Sequence, residues 1–223
     1  MSNKKISMAK VNISNKIEIK NKILEMGKEI IQSEGKKWKE ETEIPFNAML
    51  GALFGIRFGD RHAKKCLDKL MVKAGGKRSI PNYLRSLKPE ELKELFSSEI
   101  KTGLDLNIVL ESIKGIMELD AKYNLRTETL SHINDPDEFC DQLKKVKGFG
   151  GDEIGRWIVC EFVRTWELKS PSNLELPRST LEILNALGLE PSDFKIEDYP
   201  YVDAAFETLG SKSKKLEKTE ERS

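Results

Sequence analysis

Cysteine is scarce. Three residues in 223, at positions 66, 140 and 160, are too few and too scattered for a disulfide framework or a zinc-binding pair. This fits a reducing, intracellular compartment such as the cytoplasm or nucleoid. Only two histidines occur, and neither His62 nor His132 has a companion at metal-ligand spacing, so no metal and no cofactor are expected. No apolar run approaches the roughly 20 residues of a membrane span, so no membrane partner is expected. Met1 to Lys10 lacks the apolar stretch of a signal peptide. An excess of one charge is also missing: 38 Lys and Arg stand against 37 Asp and Glu. A nucleic-acid partner would have to be met by local clusters of basic residues, not by bulk charge. No segment alternates at period two, which excludes a recognisable sheet, and no fixed-period repeat is visible.

What is present favours helix. Leu, Ile, Lys and Glu dominate a chain that is 38% hydrophobic and 34% charged, a foldable composition. The expectation is a soluble, monomeric all-α protein: one helical domain over 13–210 between a short tail, 1–12, and a charged, disordered tail, 211–223. Ile17, Ile23, Leu24, Ile30 and Ile31 form a helical stripe that Gly35 is expected to stop. Pro45 starts an apolar helix through Leu50 and Phe54. Asp60 caps the next, which ends at Gly75–Gly76. Pro81 and Pro89 open short helices, and a longer one follows over Leu106 to Lys122. Asp135-Pro136-Asp137-Glu138 reads as a capping box, as does Ser179-Thr180-Leu181-Glu182, which opens a helix running to Gly188. Between them lies a helix from Gly155 to Trp166, whose Trp157 and Trp166 read as core. A last helix carries Val202, Ala205, Phe206 and Leu209.

The stretch Leu143-Lys144-Lys145-Val146-Lys147-Gly148-Phe149-Gly150-Gly151 carries the most chemistry. Gly148 can take the positive φ that ends a helix. Gly150 has no side chain to keep a ligand from the main chain, and Phe149 is expected to tuck between the two helices. Free N–H groups at the start of the next helix, with its dipole, suit a phosphate oxygen. Lys144, Lys145 and Lys147 add attraction, whereas Asp152 in the first turn opposes it. The alternative is a glycine-rich connection between two packed helices with no ligand.

Val146-Lys147-Gly148-Phe149-Gly150 resembles the hairpin of the helix–hairpin–helix DNA glycosylase superfamily, the endonuclease III and 3-methyladenine glycosylase kind, with Lys147 in place of the family's proline. Ile44-Pro45-Phe46-Asn47-Ala48-Met49-Leu50 resembles its opening helix, and Leu184-Asn185-Ala186-Leu187-Gly188-Leu189 its Leu-Gly-Leu helix end. The order and spacing hold over roughly Pro45 to Gly210. The resemblance implies two helical lobes with a cleft between them, the first and last helices completing one lobe. It also implies DNA as partner, held through its phosphate backbone, and N-glycosidic bond hydrolysis at a damaged or modified base. DNA contacts would then come from Lys145, Lys147, Gly148, Phe149, Gly150 and Gly151. Phe54, Arg57, Phe58 and His62 become candidates for a base pocket or for filling the gap an extruded base leaves.

The family's catalytic aspartate is absent. Its position is occupied by Pro177, and the nearest carboxylate is Glu175, the candidate catalytic residue if the loop turns it inward. Asp203, in Pro-Tyr-Val-Asp, falls too late in the chain and is expected on the surface. The lysine that forms a Schiff base in bifunctional members is replaced by Asp152, with Lys169 a remote stand-in, so lyase chemistry is not expected. Lys64, Lys65, Lys69, Lys73, Lys77 and Arg78 form a basic stretch that either contacts a backbone or is a solvated face. Three functions remain open: a DNA glycosylase or other base-modifying enzyme, a catalytically silent DNA-binding relative, and a helical protein-interaction module.

Overall fold

The computed structural model describes residues 13–97, 100, 103–150 and 152–206. Both expected tails, Gly151 and Leu209 lie outside the described residues. Among those described there is no strand, and the fold is all-α.

Helix α1 (Ile13–Ile30) does not stop at Gly35. It passes through a π-helical turn (Ile31–Gly35) straight into α2 (Lys36–Thr42). Gly35 keeps a right-handed φ of −64°. A Cβ there would lie 3.2 Å from the Thr165 hydroxyl, so this glycine permits close approach to a neighbouring helix and breaks nothing. Pro45 opens α3 (Pro45–Phe58) as expected. It is followed by α4 (Asp60–Ala74), which ends where Gly75 turns left-handed at φ 74° and Gly76 N–H reaches back to the Met71 carbonyl at 2.9 Å. The side chain of Asp60 is outside the description. Pro81 lies at the start of α5 (Ile80–Ser86) and Pro89 at the start of α6 (Pro89–Ser97). Then come α7 (Gly103–Tyr123), α8 (Pro136–Lys145), α9 (Asp152–Trp166), α10 (Arg178–Ala186) and a final helix, α11, over 199–206.

The capping boxes form only in part. Asp135 accepts the Glu138 N–H at 2.8 Å, but the Glu138 carboxylate pairs instead with Lys122 at 2.6 Å. At α10 the N-cap is Pro177 and no box forms. Thr180 turns inward and donates to Asp203 at 2.9 Å, and Glu182 pairs with Arg178 at 3.0 Å. Asp203 is therefore buried, 5% exposed, contrary to the expected surface position. A buried carboxylate needs such a partner, and the partner lies 23 residues away in sequence.

The buried side chains form two clusters. The larger draws on α3 to α9 and includes Phe46, Phe54, Phe139, Phe149, Phe162 and Trp166. The smaller joins Ile23 of α1, Leu184 of α10 and Val202, Ala205 and Phe206 of α11. Cys66, Cys140 and Cys160 are buried and form no disulfide, and burial pushes the Cys140 thiol up to about 12.

Within the larger cluster Asp120 is a buried anchor. Its side chain is fully enclosed, one oxygen meeting Arg85 at 2.7 Å and Arg126 at 2.8 Å, the other accepting the Leu125 N–H at 2.9 Å. Burial raises its carboxyl above the ordinary value against the opposing pull of Arg85 and Leu125. The Leu125 carbonyl in turn accepts the Phe46 N–H at 3.0 Å. Asp120 thereby fixes the entry of α3, the helix that carries much of the site described next.

Candidate nucleic-acid interface

The bend between α8 and α9 is built by local rules. Val146 leaves the helix in an extended conformation, and Phe149 N–H closes back onto the Val146 carbonyl at 3.0 Å. Gly148 sits at φ 94°, a conformation that disfavours any side chain. A Cβ there would lie 3.3 Å from Ser112 Oγ and 3.4 Å from Leu53 Cδ1, so the bend is seated on α7 and α3. The Ser112 hydroxyl faces the carbonyls of Lys147 and Ile108 and can donate to either. Phe149 is fully buried, as expected, and its ring wedges the turn. Gly150 is exposed at the open side, and a Cβ there would sit 2.9 Å from the Lys144 carbonyl. The side chain of Asp152 is outside the description.

Three cations surround this bend. Lys145 and Lys147 are exposed, and Lys147 pairs with Glu111 of α7. The exposed Arg57 brings a guanidinium nitrogen within 3.8 Å of where a Gly148 Cβ would be. Sequence separation hides this neighbour; Arg57 was a base-pocket candidate, and the fold places it beside the glycines.

Behind the bend, α3 and α9 run on to form two walls of a cleft of about 1090 Å³, closed by the π-turn and α2 and by α4. Small residues on α3, Gly51, Ala52 and Gly55, leave the space open. Trp38 of α2 and Trp157 of α9 both line it and pack against each other, ring centroids 5.8 Å apart and planes tilted at 48°. Trp157 is thus a half-buried cleft residue and not core, whereas Trp166, 1% exposed, is core. The charged lining is balanced, four carboxylates (Glu34, Glu41, Asp68 and Glu161) against four cations. Glu161 is the most enclosed of the carboxylates, 8% exposed, and pairs with Arg164 one turn on.

The four base-pocket candidates stand apart from this cleft. Phe54 is fully buried against Phe96 at 5.6 Å, and Phe58 packs on His62 at 5.5 Å. The cleft instead passes along the adjacent face of α3 through Gly51, Ala52, Gly55 and Ile56. Glu175 does not turn inward. Its side chain is 69% exposed and bridges to Arg156 at 2.9 Å, at a separate recess of about 240 Å³ that also includes Lys144. Lys169 is exposed on the same loop. His132 is held by the Tyr123 carbonyl at 2.8 Å. In the basic stretch, Lys69 and Lys77 are bonded to the carbonyls of Leu95 and Glu40, and Arg78 to Glu43 and Glu128. Lys65 and Lys73 are exposed, and the exposed Lys64 lies at the cleft.

Glu161 and Trp38 were not singled out in the sequence. One signal for Glu161 was available: a charged residue four positions after Trp157 interrupts an otherwise apolar helix face. No described helix is long and apolar enough to cross a membrane. No known family model, no curated protein and no solved structure matches the chain.

Proposed function

We propose that the chain binds DNA, gripping a phosphate at the bend between α8 and α9 and receiving one extruded base in the adjoining cleft. The observation that carries this reading is the bend itself. Gly148 is held at positive φ by Ser112 and Phe149, Gly150 is exposed beyond it, and Arg57, Lys145 and Lys147 stand nearby. A backbone fixed in advance loses little entropy on meeting a phosphate, and three cations compensate for the near-zero net charge of the whole. Trp157 lies five residues after Asp152, the first residue of α9, roughly 7.5 Å along the helix at 1.5 Å per residue. That is within the reach of a nucleotide rotated out of a duplex whose backbone rests on the bend.

The test is equilibrium binding to a duplex over a range of salt concentrations. Lys145→Ala and Lys147→Ala, both at exposed positions, are expected to weaken binding and to lower the salt slope by about 1 for each lysine that touches a phosphate. Gly150→Ala is expected to weaken it about tenfold (about 1.4 kcal/mol), because the methyl group would stand 2.9 Å from the Lys144 carbonyl and force the bend out of the shape that meets the phosphate. Duplex binding that all three substitutions leave unchanged would remove the reading.

One observation favours binding without base release. Pro177 caps α10 where the resembled family has its carboxylate, and Glu175 is turned to Arg156 outside the cleft. On this second reading, oligonucleotides with modified bases are bound and recovered intact, and Glu175→Gln changes nothing.

A further inference from the structure

Glu161 has no role in gripping a backbone, yet it is the carboxylate that the fold encloses most deeply in the cleft wall. Enclosing a carboxylate is unfavourable unless its lone pairs are used. One Glu161 oxygen accepts from Arg164, and the other has the Thr165 hydroxyl at 3.4 Å, well beyond the usual reach of an O–H···O bond. A carboxylate can accept at about four lone-pair sites, so acceptor capacity is left over. The surroundings narrow what can use it. The charged lining of the cleft cancels, which gives a strongly charged ligand no net attraction, while the indoles of Trp38 and Trp157 offer faces to a flat ring.

We infer that Glu161 makes the cleft selective for a neutral purine with two adjacent N–H donors on its pairing edge, the guanine-type edge. This rests on the reading that a base enters the cleft. A guanine ring presents its ring N–H beside its amino group, one for each carboxylate oxygen. Adenine and cytosine place a bare acceptor nitrogen beside the amino group, and that lone pair faces the second oxygen with repulsion. Thymine offers one N–H between two carbonyls. Contact with an indole favours all of these rings alike, so the carboxylate decides among them.

Trp38 and Trp157 supply the readout, because both line the cleft and a ring bound against them quenches their fluorescence. The unaltered chain is titrated with guanosine, inosine (no amino group), 1-methylguanosine (no ring N–H), adenosine and cytidine. Saturable quenching by guanosine is expected, at least tenfold weaker for inosine and 1-methylguanosine, and weaker still for adenosine and cytidine. Glu161→Gln, with its thermal midpoint checked, is expected to lose the guanosine preference. Equal affinities across the series, or no saturable quenching by any nucleoside, overturn the inference without recourse to a variant. If the salt-dependent duplex binding at the bend persists when the nucleoside series fails, Glu161 alone is refuted. If guanosine binds selectively and no duplex does, the bend has lost its role and the cleft has kept its own.

Discussion

Asp120→Ala is expected to destabilise the protein by about 3 kcal/mol, lowering its melting temperature by roughly 10 °C for a chain of this size. The carboxylate is wholly enclosed and satisfies three donors, on Arg85, Arg126 and the Leu125 main chain. Removing it strands the Leu125 amide and leaves two guanidinium groups facing each other. Both arginines keep about a third of their side chain in water (34% and 30%), so they can be resolvated in part. That places the cost at the low end of what breaking a buried pair usually brings. Asp120→Asn separates charge from hydrogen bonding. It retains an acceptor for Leu125 and removes the burden of enclosing a charge, so it is expected to cost about half as much. A calorimetric series in which Ala and Asn are equal would show that charge pairing, not the bond to Leu125, holds the turn. The consequence reaches the site, because the Leu125 carbonyl fixes the Phe46 amide at the head of α3.

At Gly27 two effects of opposite sign compete. Alanine is the better helix former by about 1 kcal/mol, and on propensity alone Gly27→Ala in α1 would stabilise. A Cβ at this position, however, would stand 2.0 Å from the Tyr201 carbonyl oxygen and 2.7 Å from its carbon. A main-chain carbonyl inside α11 has nowhere to turn, so α1 and α11 must part. Overpacking of this kind costs about 3 kcal/mol. The net expectation is a loss of about 2 kcal/mol, seen as a lower urea midpoint. Ile23 and Val202, which share the smaller cluster, would lose contact first. A midpoint that stays or rises would mean that the two helices are not packed as closely as the glycine permits.

Features set by neighbouring residues were legible in the sequence, and those set by distant ones were not. Pro45, the Asp135 cap, the stop at Gly75–Gly76 and the bend at 146–150 each follow from the backbone preferences of a few adjacent residues, and each formed. Gly35 looked like a stop because glycine commonly is one. Its actual role depends on Thr165, 130 positions on and invisible to a local pattern. Thr180 and Asp203 show the same limit, since each is polar by type and becomes buried only through the other. In the site, the glycines and lysines of the bend were read directly, and the position of Arg57 beside them was not. The cleft escaped because its walls come from α2, α3, α4 and α9. Its deepest carboxylate, Glu161, lies on a helix whose other residues read as core.

The proposed grip of the bend on a phosphate can be tested at its own amides. An isotope-labelled chain is titrated with a short duplex, and the N–H resonances are followed by NMR. The amide of Gly150 should move progressively with added DNA, with those of Gly148 and Phe149, and return on raising the salt concentration. Resonances at Gly150 that stay fixed while the duplex binds elsewhere would contradict the account.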